Sequence, residues 1–169
     1  LFRSIGSAMA RAFAAHGAEL VLADREEEGL ARIASELGHT EHHVYDQARA
    51  DSIRELVEAC GIVDVLMNNA GILRTGPLLE ASDEEAQAII GTNLLGPVLL
   101  AMGIGRGMVG RRVGVIVNTA SQLAFTGAAT RALYATAKAG IVQFTRSAAA
   151  EFGPHGVRDR KSTRLNSSH

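Results

Sequence analysis

An α/β fold, a doubly wound parallel sheet with helices on both faces, is what this sequence predicts, and three observations predict it. From residue 7 to 153, short apolar runs alternate with amphipathic or Ala-rich stretches of ten residues or more, the pattern of strands joined by crossover helices. The strand candidates Leu20-Val21-Leu22 and Val63-Asp64-Val65-Leu66-Met67 are near-continuously apolar, as burial on two faces requires. Gly17 and Gly38 stand just past helical stretches, where a left-handed residue ends a helix.

In order, the elements are helix 6–16, amphipathic from Ala8 to His16; strand 19–23; helix 26–37, closed by Gly38; strand 42–45; helix 49–59; and strand 63–67. A long helix over 83–109 follows, with Ser82 as its N-cap and Asp83, Glu84 and Glu85 in its first turn, where acids complement the helix dipole. Val113-Gly114-Val115-Ile116-Val117-Asn118 reads as a buried strand, and an Ala-rich helix spans 132–152. There are no internal repeats and no linker before residue 159.

With 169 residues, 47% of them hydrophobic, the chain is long enough for one domain with a sizeable core. No run reaches the 18 or so uninterrupted apolar residues of a membrane span, and no charged-then-apolar leader opens the chain, so a cytoplasmic protein without a membrane partner is expected. Cys60 is the only cysteine, which excludes a disulfide framework and a thiolate metal cluster. His39, His42 and His43 beside Glu41 are read as a solvated loop and strand edge, since successive strand side chains diverge. No metal site is expected. The near-neutral charge offers no basic stripe for nucleic acid.

Residues 159–169, Asp-Arg-Lys-Ser-Thr-Arg-Leu-Asn-Ser-Ser-His, break with the Ala/Gly/Val texture before them. They match, codon for codon, the translation of a common sequencing-library adapter. They are therefore read as a disordered artefact, leaving 1–158 as a partial dinucleotide-binding domain. The remainder carries 14 basic and 17 acidic residues, a net charge of −3. Leu1 to Gly6 runs straight into a helix with no strand before it, so the sheet is expected to be incomplete at both ends.

Outside that tail, Lys138 is the only lysine; it lies four residues after Tyr134, one of two tyrosines, and Ser121 lies thirteen residues before the tyrosine. Helical residues at i and i+4 share a face with Cβ atoms about 6 Å apart. An ammonium about 6 Å from a phenol at an effective dielectric near 20 contributes roughly 2.8 kcal/mol, about two pKa units. The pair is thus expected to lower the tyrosine pKa toward neutral and make it a general acid–base. Ser121 follows a strand and Tyr134 opens a helix, the place where open α/β sheets gather active-site groups.

Ile5 and Gly6 close what reads as a phosphate-binding turn, with Ser4 where a glycine is usual. Asp24, eighteen residues after Gly6 at a strand end, is positioned for the hydroxyls of an adenosine ribose or as an N-cap for helix 26–37. Its carboxylate would repel a 2′-phosphate and favour NAD, whereas Arg25 and Arg3 could accept NADP.

Asn68-Asn69-Ala70-Gly71 after a strand, Asn93 in the long helix, Ser121 and Tyr134-x-x-x-Lys138 together resemble the short-chain dehydrogenase/reductase family in its single-domain form, over residues 1–158. The resemblance implies a Rossmann-type sheet and reversible hydride transfer between a nicotinamide and a carbonyl or alcohol carbon of a small-molecule substrate. It implies that Tyr134 gives or takes the proton and that Ser121 holds the reacting oxygen. It further implies that Lys138 tunes the tyrosine and holds the nicotinamide ribose, and that Asn93 supports a proton-relaying water. Asn69, Ala70 and Gly71 would floor the adenosine site and Asp46 would face the adenine. A buried packing Asn93 and an exposed strand-end Asp46 remain alternatives. Leu73, Arg74, Leu123 and Phe125 are candidates for the substrate wall.

The family strand order 3-2-1-4-5-6-7 would leave a central gap between strands 19–23 and 63–67, and its sixth strand and substrate loop are not expected here. These 169 residues alone are therefore expected to be inactive. A homodimer or tetramer is expected of the complete protein, because Leu94, Leu95, Leu99, Leu100, Ile141, Val142 and Phe144 spread over more than one helix face. The alternative is a non-catalytic dinucleotide-binding regulator or scaffold of the same fold.

Overall fold

The computed structural model describes residues 2–162. Helix α1 (Phe2–Ala15) is followed by β1 (Val21–Asp24), α2 (Glu27–Glu36), β2 (Glu41–Val44), α3 (Ala50–Cys60) and β3 (Val65–Asn68). Then come α4 (Asp83–Ile90), a π-helical turn (Gly91–Leu95), α5 (Gly96–Arg111), β4 (Gly114–Thr119), α6 (Ala132–Phe152) and β5 (Val157–Ser162). Local chemistry sets the ends. Ser82 Oγ accepts from the Glu85 N–H at 3.2 Å to open α4, and Gly17 takes φ 78° just past α1.

Every strand pairing is parallel, in two groups: β1 with β2, and β3-β4-β5. The expected gap is there. Among the described residues β1 and β3 share no ladder, and Val21 and Val65 on those open edges keep 38% and 42% of their surface exposed. β4, by contrast, is paired on both sides and alternates buried with half-buried residues along its length.

Two expectations need correction. The chain does not leave the sheet at Arg158: β5 runs to Ser162 beside β4, with Val157 and Asp159 buried and Arg158 and Arg160 exposed. That period-two pattern is a strand packed on one face. It supplies the sixth strand that was not expected, and it takes the first residues of the supposed tail into the fold; residues 163–169 lie outside the described residues.

The long helix, expected as one unbroken 83–109, reaches Arg111 and is interrupted at residues 91–95. There the Gly96 N–H bonds to the Gly91 carbonyl, five residues back. Pro97 is the physical reason the ladder cannot run straight through, because proline has no N–H to give to the preceding turn. The whole stretch Asp83–Arg111 has a mean hydropathy of 1.7 over its most apolar window, long and apolar enough to cross a membrane on that measure. With 44% of the window buried in this fold, it has the character of a core helix.

The main core lies between α5 and the β3-β4-β5 sheet, where Ala101, Ile104, Met108, Ile116 and Val157 meet. A second cluster joins Tyr45, Ile53, Leu56 and Leu100 between β2, α3 and α5. Full burial of each large aliphatic stabilises by about 1.5–3 kcal/mol. Gly114 is needed here, since a Cβ on it would lie 2.5 Å from the Met108 side chain.

Candidate active site

Four chain segments meet at the carboxyl ends of β3 and β4. The loop after β4 carries Ser121, whose Oγ accepts from the Leu123 N–H at 3.2 Å and whose hydroxyl faces Tyr134 closely enough to lower the phenol's pKa. One turn further along α6, Lys138 Nζ lies 5.7 Å from the centre of the Tyr134 ring and donates to the Thr119 carbonyl at 2.7 Å. Tyr134 and Lys138 are 5% and 3% exposed. The i, i+4 spacing on the helix puts both groups over the end of β4.

Asn93, the fourth expected member, is wholly buried in the π turn. Its Nδ2 donates to the carbonyls of Ile72 (2.8 Å) and Ile89 (3.0 Å), and its Oδ1 accepts from the Ile72 N–H (3.1 Å). Gly71 lies where these groups converge: a Cβ there would sit 2.6 Å from Asn93 Oδ1 and 3.7 Å from Lys138 Nζ. The fold thus brings Ser121, Tyr134, Lys138 and Asn93 to one place.

The electrostatics differ from expectation. Burial raises the Tyr134 pKa, opposed by the Ser121 hydrogen bond, and burial lowers that of Lys138 to about 8. The expected lowering of the phenol by its neighbour is reversed. Desolvation disfavours both charged forms, and the ammonium points at the Thr119 carbonyl.

The residues expected at the dinucleotide lie along the same sheet edge. A Cβ on Gly6 would lie 3.3 Å from Asn69 Nδ2, so α1 sits against the Asn69-Ala70-Gly71 turn; Ile5 is half-buried beside it, while the side chains of Arg3 and Ser4 are outside the described residues. Asp24 Oδ1 accepts from the Glu26 N–H at 3.0 Å, and the cap of α2 is Glu26, whose side chain takes the Gly29 N–H. Arg25 is exposed next to it. Asp46, also exposed, accepts from the Ala48 N–H at 2.9 Å.

His43 pairs with Glu41 at 2.8 Å on the exposed strand β2, and no group that could hold a metal occurs among the described residues. A cleft of about 140 Å³ opens between the 74–81 loop and the start of α6, lined by Arg74, Leu78, Ile89, Thr130 and Leu133. Of the expected substrate wall, Arg74 lines it, paired there with Glu85.

Gln47 was not among the expected residues. It is 5% exposed and joins the loop after β2 to both the Ala70 turn and the π turn. A glutamine after a strand-end Asp carries no signal of its own; Pro97 inside a helical stretch was the readable clue.

Comparison with known proteins agrees with this fold. The family model described as short chain dehydrogenase matches residues 2–159. The 3-oxoacyl-acyl-carrier-protein reductases FabG of Vibrio harveyi and Escherichia coli are 35% and 37% identical over 160 residues, 92% of this chain and 66% of theirs. Galactitol 2-dehydrogenase of Agrobacterium fabrum is 35% identical over 92% of this chain and 63% of its own. Among solved structures, a short chain dehydrogenase/reductase family protein superposes with a TM-score of 0.89 at 32% identity, over 95% of this chain and 68% of its own. A metagenomic short-chain oxidoreductase in complex with NADP gives 0.87 at 33%, over 94% and 75%. The chain thus spans just under two thirds of the length of the curated relatives it matches.

Proposed function

The chain belongs to the short-chain dehydrogenase family, and we propose on that footing that the protein is an oxidoreductase moving hydride between a nicotinamide dinucleotide and the carbonyl or alcohol carbon of a small molecule. The observation that carries this reading is the convergence of Ser121, Tyr134 and Lys138 at one strand end. A dinucleotide fits the residues present, because α1 at Gly6 packs against the Asn69-Ala70-Gly71 segment at the same sheet edge, where a helix start and a strand end together offer backbone to a pyrophosphate. When bound, it supplies the hydride donor for reduction or the acceptor for oxidation.

The side chains have separate tasks. Ser121 holds the substrate oxygen beside the phenol. Tyr134 delivers its proton to that oxygen in reduction and removes it in oxidation. The high Tyr134 pKa of the free protein suits the acid role; oxidation needs the charged Lys138 ammonium to stabilise the phenolate. Asn93 fixes the Ile72 backbone and so the turn beside Lys138.

NAD is the preferred cofactor in this reading. Asp24 Oδ1 is engaged by the Glu26 backbone, which fixes a carboxylate at the end of β1, and such a group repels a 2′-phosphate. Cytoplasmic placement belongs to the same proposal, as does assembly into a dimer or tetramer, which the exposed Leu95 and Met102 on the long helical stretch 83–111 support. Titration of the purified full-length protein with NAD⁺ and NADP⁺, followed by secondary alcohols with absorbance of the reduced nicotinamide as readout, tests it. Tighter NAD⁺ binding and alcohol-dependent reduction are expected. A protein that binds neither dinucleotide would remove the proposal.

A further inference from the structure

Gln47 occupies a position that the catalytic reading leaves unexplained. Its amide is buried and fully engaged: Oε1 accepts from the Tyr45 hydroxyl at 2.5 Å, and Nε2 donates to the carbonyls of Ala70 (3.2 Å) and Thr92 (2.6 Å). Burial pushes the Tyr45 pKa up, so that phenol stays a donor. A donor at Oε1 fixes the amide's orientation and leaves Nε2 facing the two carbonyls.

The two carbonyls matter for different reasons. In the π turn the Gly96 N–H reaches back five residues to Gly91. The next donor in that register, to Thr92, would be residue 97, and Pro97 has none. Gln47 fills that vacancy from another part of the chain. Contact is close enough that a Cβ on Gly96 would lie 2.3 Å from the Gln47 carbonyl oxygen. Ala70, the other acceptor, sits between Asn69 and Gly71 in the turn that borders the dinucleotide site.

We propose that Gln47 is a positioning residue that locks the Ala70 turn of the cofactor site to the π turn carrying Asn93. Through it, the loop beyond Asp46, the turn after β3 and the break in the long helix hold one geometry. This deepens the proposed function and rests on it.

Gln47→Met keeps the volume and removes both donated hydrogen bonds. Isothermal titration of the purified full-length variant with NAD⁺ is expected to show a Kd raised about tenfold, the scale of one lost buried hydrogen bond, with one site per chain retained. A role in fold stability alone would instead reduce the number of binding sites and leave the Kd at the wild-type value, and that result overturns the proposal. Should the methionine variant not fold, Tyr45→Phe releases Oε1 without touching Nε2. A rise in Kd of about two- to threefold is expected for it, and an unchanged Kd at full stoichiometry counts against the inference. Wild-type protein that binds no dinucleotide removes the functional reading itself, an outcome distinct from either variant result.

Discussion

Asn93 and Ile72 exchange two hydrogen bonds, the side-chain amide pairing with the backbone N–H and C=O of one residue as a neighbouring strand would. The helix therefore grips the Ile72 backbone through one side chain. Asn93→Ala would remove the side chain that pairs with both the N–H and the carbonyl of Ile72, and buried unpaired groups cost about 1–3 kcal/mol each. A loss of about 2–4 kcal/mol is expected in chemical denaturation, with the slope unchanged. A loss under 0.5 kcal/mol would mean the loop is held by other contacts.

Tyr134→Phe removes the proton donor and leaves the ring where it packs. Turnover is expected to fall by about 10²–10⁴-fold, the usual worth of a positioned acid–base group, while NAD⁺ affinity stays within about twofold. Ser121→Ala is expected to lower turnover similarly through lost orientation of the oxygen. Steady-state rates and direct cofactor titration separate the two quantities.

Lys138 is a stability liability kept in a buried site. Its folded pKa lies at about 8, below its ordinary 10.5, so the unfolded chain binds more protons between those values. Its burial cost is full below pH 8 and is relieved as pH rises through the window from 8 to 10.5. Lys138→Met is therefore expected to be more stable than wild type at pH 7, by about 1–3 kcal/mol. The difference should shrink above pH 10, read from denaturation midpoints across pH, and turnover should be lost.

Asp159 behaves in the opposite sense. Burial raises its carboxyl pKa to about 7 from 3.8, and Oδ2 has no hydrogen-bond partner among the described residues, although Oδ1 accepts from Asn118 Nδ2 at 3.0 Å. The folded state holds the extra proton between pH 4 and 7, so stability falls as pH rises through that window and the penalty is complete above it. Asp159→Val is expected to raise the melting temperature at pH 8 and to bring no gain at pH 4. A gain of equal size at both pH values would show that packing, not charge, sets the effect.

The strand–helix alternation was legible because apolar runs and helical periodicity record two-sided burial, and the Ser121, Tyr134 and Lys138 set was legible because helix and strand ends fix their relative places. What escaped has no local record. The π turn depends on a missing donor at Pro97 and a substitute at Gln47, fifty residues upstream. β5 was hidden by the composition of its own residues, since Asp159 and Arg160 read as a polar tail and become strand only beside β4. The direction of the Tyr134 shift follows from burial, which spacing on a helix cannot report.

The division of the strands into two ladders implies that the molecule need not open as one. β4, flanked on both sides and set in the main core, should protect its amides against hydrogen exchange up to the global unfolding energy. The β1–β2 pair, joined to the β3-β4-β5 sheet by packing and the Gln47 hydrogen bonds but by no ladder among the described residues, can detach at lower energy. Its amides should then exchange on a faster clock, marking a separable cooperative unit at the β2 edge of the molecule.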